Sequence, residues 1–378
     1  MATAFGSPQP QVATQNANNN TPTHDSGLGL GNQSMSTAGD HTVSQAGNDG
    51  ISSLTWSPTA NFLVSTNWDS GVRCWEVQEQ NRQIISQPKA QVNHENNSPV
   101  LCSTFSADGS TVFTGGADNA VRMWTLGQTP PNNLPQKIGV HTSPVKSVAF
   151  ISSTNLVVSG GWDKFLKFWD ARQPNPVGQI ELPDKCHDLN VVNSLLVVAC
   201  NGRHVISYDV SKEPREHSKK ESPLKFQSRC IAAFPDMTGF AVGSIEGRVG
   251  VHYLQKVPGK ESFAFKCHRQ DTHAYSVNSI CFHPHFGTFA TVGSDGVVNF
   301  WDKDNKQRLK GFPAINRTIS CAAFNNGQGN MFAYSSSYDW SKGSSFYSPN
   351  APNAANQNEI FIHYTPEDEI KPKGKKKK

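Results

Sequence analysis

His141, Ser159 and Asp163 are the residue types of nucleophilic hydrolysis: a hydroxyl to attack, an imidazole to take its proton and a carboxylate to hold the imidazole in one tautomer. The trio recurs, with threonine for serine, at His94, Thr114 and Asp118 and again at His273, Thr291 and Asp295. A tryptophan follows each aspartate by six residues, at Trp124, Trp169 and Trp301, and the histidine-to-aspartate intervals are 24, 22 and 22 residues. Enzymes do not carry an active site in every repeat. Recurrence in one register assigns these side chains to scaffold, where a buried indole N–H needs an acceptor and a hydroxyl supplies one. Stranding one such buried group costs about 1–3 kcal/mol, a fair share of a domain's net stability.

The elements that must position these residues follow from the spacing. Asp69 and Trp75 add a fourth pair, and the aspartates at 69, 118, 163 and 295 are separated by 49, 45 and 132 residues. The wide gap holds two further units with worn markers, Asn201 and Glu246, which stand where the aspartate would be, 38 and 45 residues on. Asp339, 44 residues after Asp295, marks a seventh. Within a unit, segments such as 145–150, 155–159 and 165–169 are short, rich in β-branched and aromatic residues, and separated by Ser, Gly, Asn and Asp turns. Apart from a turn near 367–369, no stretch keeps a 3.6-residue period. The expected fold is all-β: a seven-bladed propeller of four-stranded units about 45 residues apart. Residues 41–365 form the ring, and 41–44 is the candidate closing strand beside 359–364.

Outside the ring, residues 1–40 are an Asn, Gln, Ser, Thr and Gly-rich tail with too few large apolar side chains to offset the entropy of ordering. A single Phe5-Gly6 dipeptide inside it is explained by chance. Residues 341–358 read as a long polar loop in the last blade. The net charge of +4 is local: residues 371–378 hold six lysines and no acid, leaving 28 basic and 30 acidic side chains in residues 1–370. The basic tail, 366–378, reads as an import signal, a phosphate-binding arm or a solvated end. Eight scattered cysteines without a C-x-x-C pair point to reduced, buried thiols, so neither a zinc site nor a disulfide framework nor any cofactor is expected. With no apolar signal segment and no run of 18 apolar residues, the chain reads as soluble and intracellular, without membrane insertion.

Function is then sought where exposed template positions carry aromatic or charged side chains. The residue before the turn aspartate is Trp68 in the first unit, Trp162 in the third and Tyr338 in the seventh, against Ala117, Ile245 and Ser294 elsewhere. Each ring either covers a neighbouring loop or belongs to a binding surface, since exposed Trp, Tyr and Arg anchor interfaces. Lys164, Arg248, Lys303, Lys306 and Arg308 add positive charge in or near turns of the same kind. An acidic, partly apolar peptide would complement that face.

The tetrads of His, Ser or Thr, Asp and Trp resemble those of WD repeats, which place them as a hydrogen-bonded relay between a loop, two strands and a tight turn. Longer strings carry a closer resemblance: GlyTrpAspLysPheLeuLysPheTrpAsp (161–170), GluSerProLeuLys (221–225), GlySerIleGluGlyArgVal (243–249), PheLysCysHisArg (265–269) and SerSerTyrAspTrpSerLysGly (336–343). From about 50 to 373 the chain is similar to the WD-repeat messenger-RNA export factors of the nuclear pore. The resemblance implies a non-enzymatic adaptor, nuclear and pore-associated with shuttling to the cytoplasm, that grips the GLEBS segment of a nucleoporin, an acidic hairpin, on its loop face. By the same resemblance Arg248 would pair with hairpin carboxylates, while Trp68 and Trp162 would pack on its apolar side chains, with Lys164 and Tyr338 beside them. A rim site of Phe265, Trp301, Lys303, Lys306 and Arg308 would contact single-stranded RNA or messenger ribonucleoprotein, although Lys306 and Arg308 keep only the charge of the family pattern. The related spindle-checkpoint WD-repeat protein, which grips GLEBS segments of kinetochore kinases, is the alternative, with mitotic partners in place of the pore. The strings at 221–225 and 337–343 favour the pore family.

Overall fold

Short runs of β-branched and aromatic residues between Gly, Asn and Asp turns become seven four-stranded antiparallel sheets. The computed structural model describes residues 39–128, 134–256, 258–315, 317–347 and 358–374. Most of the expected N-terminal tail, with its Phe5-Gly6 pair, the loop residues 348–357 and the final four lysines lie outside the described residues. The first blade runs Ile51–Trp56, Phe62–Asn67, Gly71–Gln80, Gln83–Asn93, and the second Val100–Phe105, Thr111–Gly116, Ala120–Thr125, Gln136–Val140. The third is Val145–Ile151, Leu156–Gly161, Phe165–Trp169, Gly178–Glu181, and the fourth Cys186–Val192, Leu195–Cys200, His204–Asp209, Arg215–Glu221. The fifth is Ser228–Ala233, Gly239–Ser244, Arg248–Tyr253, Phe263–Lys266, and the sixth Val277–Phe282, Phe289–Gly293, Val298–Asp302, Gln307–Gly311. The seventh takes Ile319–Phe324, Met331–Ser336 and Glu359–Tyr364 from one end of the chain and His41–Val43 from the other.

Second strands such as Leu195–Cys200 are buried at every residue because each blade is covered on both faces by its neighbours. The core is accordingly divided among apolar clusters, each shared by two adjacent blades. Val64, Val72, Val112 and Trp124 join the first to the second, and Val43, Ile51, Met331 and Ile360 join the seventh to the first. Ring closure therefore depends on the terminal strand, which pairs His41 with Ile362, Thr42 with Phe361 and Val43 with Ile360. A polar clasp holds it: His363 bonds Asp40 through Nδ1 (2.6 Å) and Glu369 through Nε2 (3.1 Å), and the Tyr334 hydroxyl donates to Asp40 (2.7 Å). Glu369 stands on the one-turn helix Glu367–Ile370, where the sequence predicted only a turn, and Lys310 also holds it at 3.0 Å.

Every inner strand is interrupted at the same place. The register shifts between its first and third residues in all seven blades, at Ile51/Ser53, Val100/Cys102, Val145/Ser147, Cys186/Asp188, Ser228/Cys230, Val277/Ser279 and Ile319/Cys321. A bulge leaves one residue without a ladder partner and re-aims its side chain. All seven bulge residues line the central channel, which encloses about 1010 Å³. The eight cysteines are free, and burial pushes the thiols of Cys74, Cys102 and Cys200 up to about 12, so they pack as small apolar groups. No helix among the described residues is long and apolar enough to cross a membrane.

Candidate docking face and rim site

The tetrads form struts. In the third blade His141 Nδ1 donates to Asp163 (2.9 Å), its Nε2 accepts from the Ser159 hydroxyl (2.7 Å), and the Ser159 oxygen accepts the Trp169 indole N–H (2.7 Å). Ser159 is fully buried and its one proton is committed to His141, so it has no surface from which to attack anything. Burial holds the His141 imidazole below its usual value and hence neutral, as this chain of bonds requires. In the second blade His94 Nε2 keeps Thr114 (2.8 Å), but Arg122 enters and takes Asp118, leaving His94 Nδ1 at 3.9 Å from that carboxylate.

The sixth blade corrects the sequence pattern. Its relay histidine is His268, bonded to Asp295 at 2.8 Å and to Thr291 at 2.9 Å, with the Trp301 N–H also on Thr291 at 2.9 Å. His273 is exposed on a two-stranded hairpin, Arg269–Gln270 with His273–Ala274, inserted between that histidine and the inner strand. This insertion lengthens the His-to-Asp interval and brings a second histidine to the expected spacing.

The turn places are fixed by one repeated bond. The first residue after the second strand donates its N–H to the carbonyl just ahead of the inner strand: Trp68 to Gly50, Ala117 to Pro99, Trp162 to Pro144, Asn201 to Lys185, Ile245 to Gln227, Ser294 to Ser276 and Ser337 to Thr318, at 2.8–3.1 Å. Glu246 is a true stand-in for aspartate, since its carboxylate accepts the Lys225 N–H as Asp163 accepts that of Thr142. Asn201 is not. It occupies the preceding place and donates its amide to Asp184 on the loop (2.7 Å), reversing the usual direction. Tyr338 is displaced by one residue in the opposite sense. It fills the place of the turn acid, is 8% exposed, and donates its hydroxyl to the Gly343 carbonyl (2.7 Å), so it is a buried support and not an exposed ring.

At one mouth of the channel the remaining expectations converge. Trp68 and Trp162 are 43% and 40% exposed and share that mouth with Ile245 and Trp340, which are 41% exposed each. Trp340, which the sequence pattern had passed over, sits at φ 60°, a left-handed conformation unfavourable for a bulky residue, and stacks on Tyr347 with ring centroids 4.9 Å apart. Positive charge gathers on the third to fifth blades. Arg248, one third exposed, stands 3.6 Å from Glu246, which Arg269 also approaches at 3.6 Å, so two guanidinium groups share one carboxylate. Lys164 reaches Asp184 (3.4 Å), and Lys185 lies over the Trp162 ring (5.9 Å). Inside the mouth the bulge residues of these three blades are Lys146, His187 and Arg229, whereas those of the other four are Ser52, Leu101, Asn278 and Ser320.

The rim site lies where the outer edge of the fifth blade meets the sixth. Phe265 packs on Trp301 with centroids 4.7 Å apart, and both rings are partly exposed, so Trp301 combines its relay bond with an accessible edge. Lys306 is exposed with its ammonium 4.8 Å from the Phe263 centroid, and Arg308, also exposed, faces Trp301 across the strand pair. Lys303 does not belong to this surface. Only 3% of its side chain is exposed, because it folds inward over Phe234 (4.9 Å) and onto Asp304 (3.0 Å).

Seven four-stranded blades around a channel, with complete His–Ser/Thr–Trp relays bracing the third and sixth, define a WD-repeat propeller. The WD domain, G-beta repeat family matches residues 39–76, 87–125, 132–170 and 260–302. Protein RAE1 of Arabidopsis thaliana is 45% identical over 325 residues, covering 86% of this chain and 90% of the relative. The Poly(A)+ RNA export protein of Schizosaccharomyces pombe is 40% identical (89% and 94% covered), and the mRNA export factor of Xenopus tropicalis is 44% identical (93% and 98% covered). The chain belongs to this RAE1/mRNA export factor family of WD-repeat proteins.

Proposed function

We propose that this protein is a non-enzymatic adaptor in the export of messenger RNA, acting in the nucleus and at the nuclear pore and shuttling to the cytoplasm. Its loop face docks the acidic GLEBS hairpin of a nucleoporin, and its rim contacts single-stranded RNA of the messenger ribonucleoprotein. The observation that carries the docking reading is the gathering of Trp68, Trp162, Ile245 and Trp340, all exposed, around one channel mouth with Arg248 and a basic arc beside them. Apolar anchors inside a charged surround are the composition of an interface, and positive charge selects an acidic partner. The relatives' names, which speak of RNA export, favour this reading over the checkpoint alternative. At the rim, stacking on Phe265 and Trp301 with Lys306 and Arg308 on phosphates would give sequence-tolerant, salt-sensitive binding. Affinity capture from nuclear extract tests the assignment: wild type should retain a nucleoporin that Arg248→Glu loses. Equal recovery of that nucleoporin, or loss of kinetochore kinases alone, would overturn it.

A further inference from the structure

The two halves of the docking face differ in charge. On the third to fifth blades the mouth is cationic, and Trp162 already has a cation of its own over the ring, Lys185. On the seventh and first blades the position is reversed. Trp68 and Trp340 lie 6.4 Å apart, both exposed, and no cation of the described residues stands over either ring.

Asp339 lines the channel with them. Its carboxylate accepts from the Ser294 hydroxyl, from Asn278 Nδ2 (3.0 Å) and from the Ser341 N–H (3.1 Å), and among the described residues it makes no ion pair. Burial alone would raise this carboxyl, but the hydrogen bonds outweigh it and keep the group below its usual value, so the mouth holds a full negative charge. Asn278, one of the bulge residues, is 9% exposed and lines the channel beside it. Its amide nitrogen must face the Ile319 carbonyl and Asp339, which only accept, and this leaves Oδ1 without a partner. The other charged groups nearby do not satisfy these acceptors. Asp49 takes the Tyr347 hydroxyl (3.4 Å), Asp69 is held by Arg73 (2.7 Å), and Lys342 lies over Phe346 (5.9 Å).

We propose that the mouth between the seventh and first blades, formed by Trp68, Trp340, Asp339 and Asn278, receives one Lys or Arg side chain of the same acidic segment that Arg248 engages. An ammonium or guanidinium supplies the counter-charge that Asp339 lacks, since all three of its hydrogen-bond donors are uncharged, and two exposed indole rings suit a cation that also approaches a carboxylate. The acidic part of the segment then lies over the third to fifth blades and its basic residue over the seventh and first, which fixes the direction in which the segment crosses the channel. The inference rests on the docking reading above.

The test is a set of double-mutant cycles by calorimetry on the full chain, with a recombinant GLEBS segment in which each Lys and Arg is replaced in turn by Gln. Asp339→Asn should lower affinity for the unaltered segment about tenfold, as expected for a desolvated cation site. That loss should vanish with one particular Gln variant, whereas the loss from Arg248→Glu should persist with it. Trp340→Ala leaves the hydrogen bonds of Asp339 in place and should couple to the same residue, so it decides the matter if Asp339→Asn fails to fold. Additive losses with every Gln variant overturn the proposal. So does a coupling that appears only with residues 375–378 of this chain, which would assign the mouth to its own lysines. If Arg248→Glu binds like wild type, the docking reading itself fails; if it loses binding and Asp339→Asn does not, only the direction does.

Discussion

Replacing His268 and His273 separately by alanine isolates what the relay contributes. His268 is fully buried, and its removal takes the imidazole donor from the Asp295 carboxylate, whose side chain is 12% exposed, and the acceptor from the Thr291 hydroxyl proton, leaving them the Val297 N–H and the Trp301 indole N–H. Each lost bond to a buried group costs ~1–3 kcal/mol, so His268→Ala should destabilise by about 3 kcal/mol before any cavity is counted. His273 is exposed on the inserted hairpin, and His273→Ala should stay within ~0.5 kcal/mol of wild type. Urea unfolding followed by tryptophan fluorescence reads both: the midpoint should fall for His268→Ala at unchanged slope and stay in place for His273→Ala. Equal midpoints, or the larger drop at His273, would refute the account of how the relay is wired.

Further outcomes follow from the same geometry. Burial alone would lower the His363 imidazole, but Asp40 and Glu369 raise it above its ordinary 6.5, so the stability it lends to ring closure is complete below that value and is lost as pH rises through the raised one. The stability gap between wild type and His363→Gln should therefore narrow from pH 6 to pH 9 in thermal melts. Arg308→Ala should reduce the salt dependence of oligonucleotide binding by about one unit of slope, while Phe265→Ala weakens binding without changing the slope. A titration series in potassium chloride separates the two. Lys303→Ala should lower the melting temperature and leave oligonucleotide affinity close to wild type, because its ammonium is spent inside the protein on Asp304 and Phe234.

Much of the ring is legible in the sequence because four of the seven units repeat one chemical requirement, an aspartate at a tight turn with an indole six residues on, and their spacing sets the period for the other three. The closing strand could be named for the same reason: a seventh blade that begins at Ile319 lacks a fourth strand of its own. What spacing conceals is register. Asn201 and Tyr338 each sit one place from where the pattern puts them, and in a period-two structure one place exchanges an exposed side chain for a buried one. His268 was hidden by a hairpin insertion that composition does not announce. The arc of Lys146 and Arg229 with His187 between them depends on a bulge at the head of each inner strand, visible only once the strands are paired. Its one sequence signal is a basic or imidazole residue directly after the first residue of three consecutive inner strands. Lys303 looked like a surface cation because no local rule says that a lysine beside an aspartate turns inward onto an aromatic ring.

Calorimetric titration of a nucleoporin GLEBS segment into wild type, Arg248→Glu and the Trp68→Ala/Trp162→Ala pair bears most directly on the central claim. Each Trp→Ala change should cost on the order of 2 kcal/mol of binding, and reversing the charge at Arg248 should cost more, with melting temperatures unchanged throughout. Affinity that survives all three substitutions would contradict an aromatic and basic mouth as the docking site.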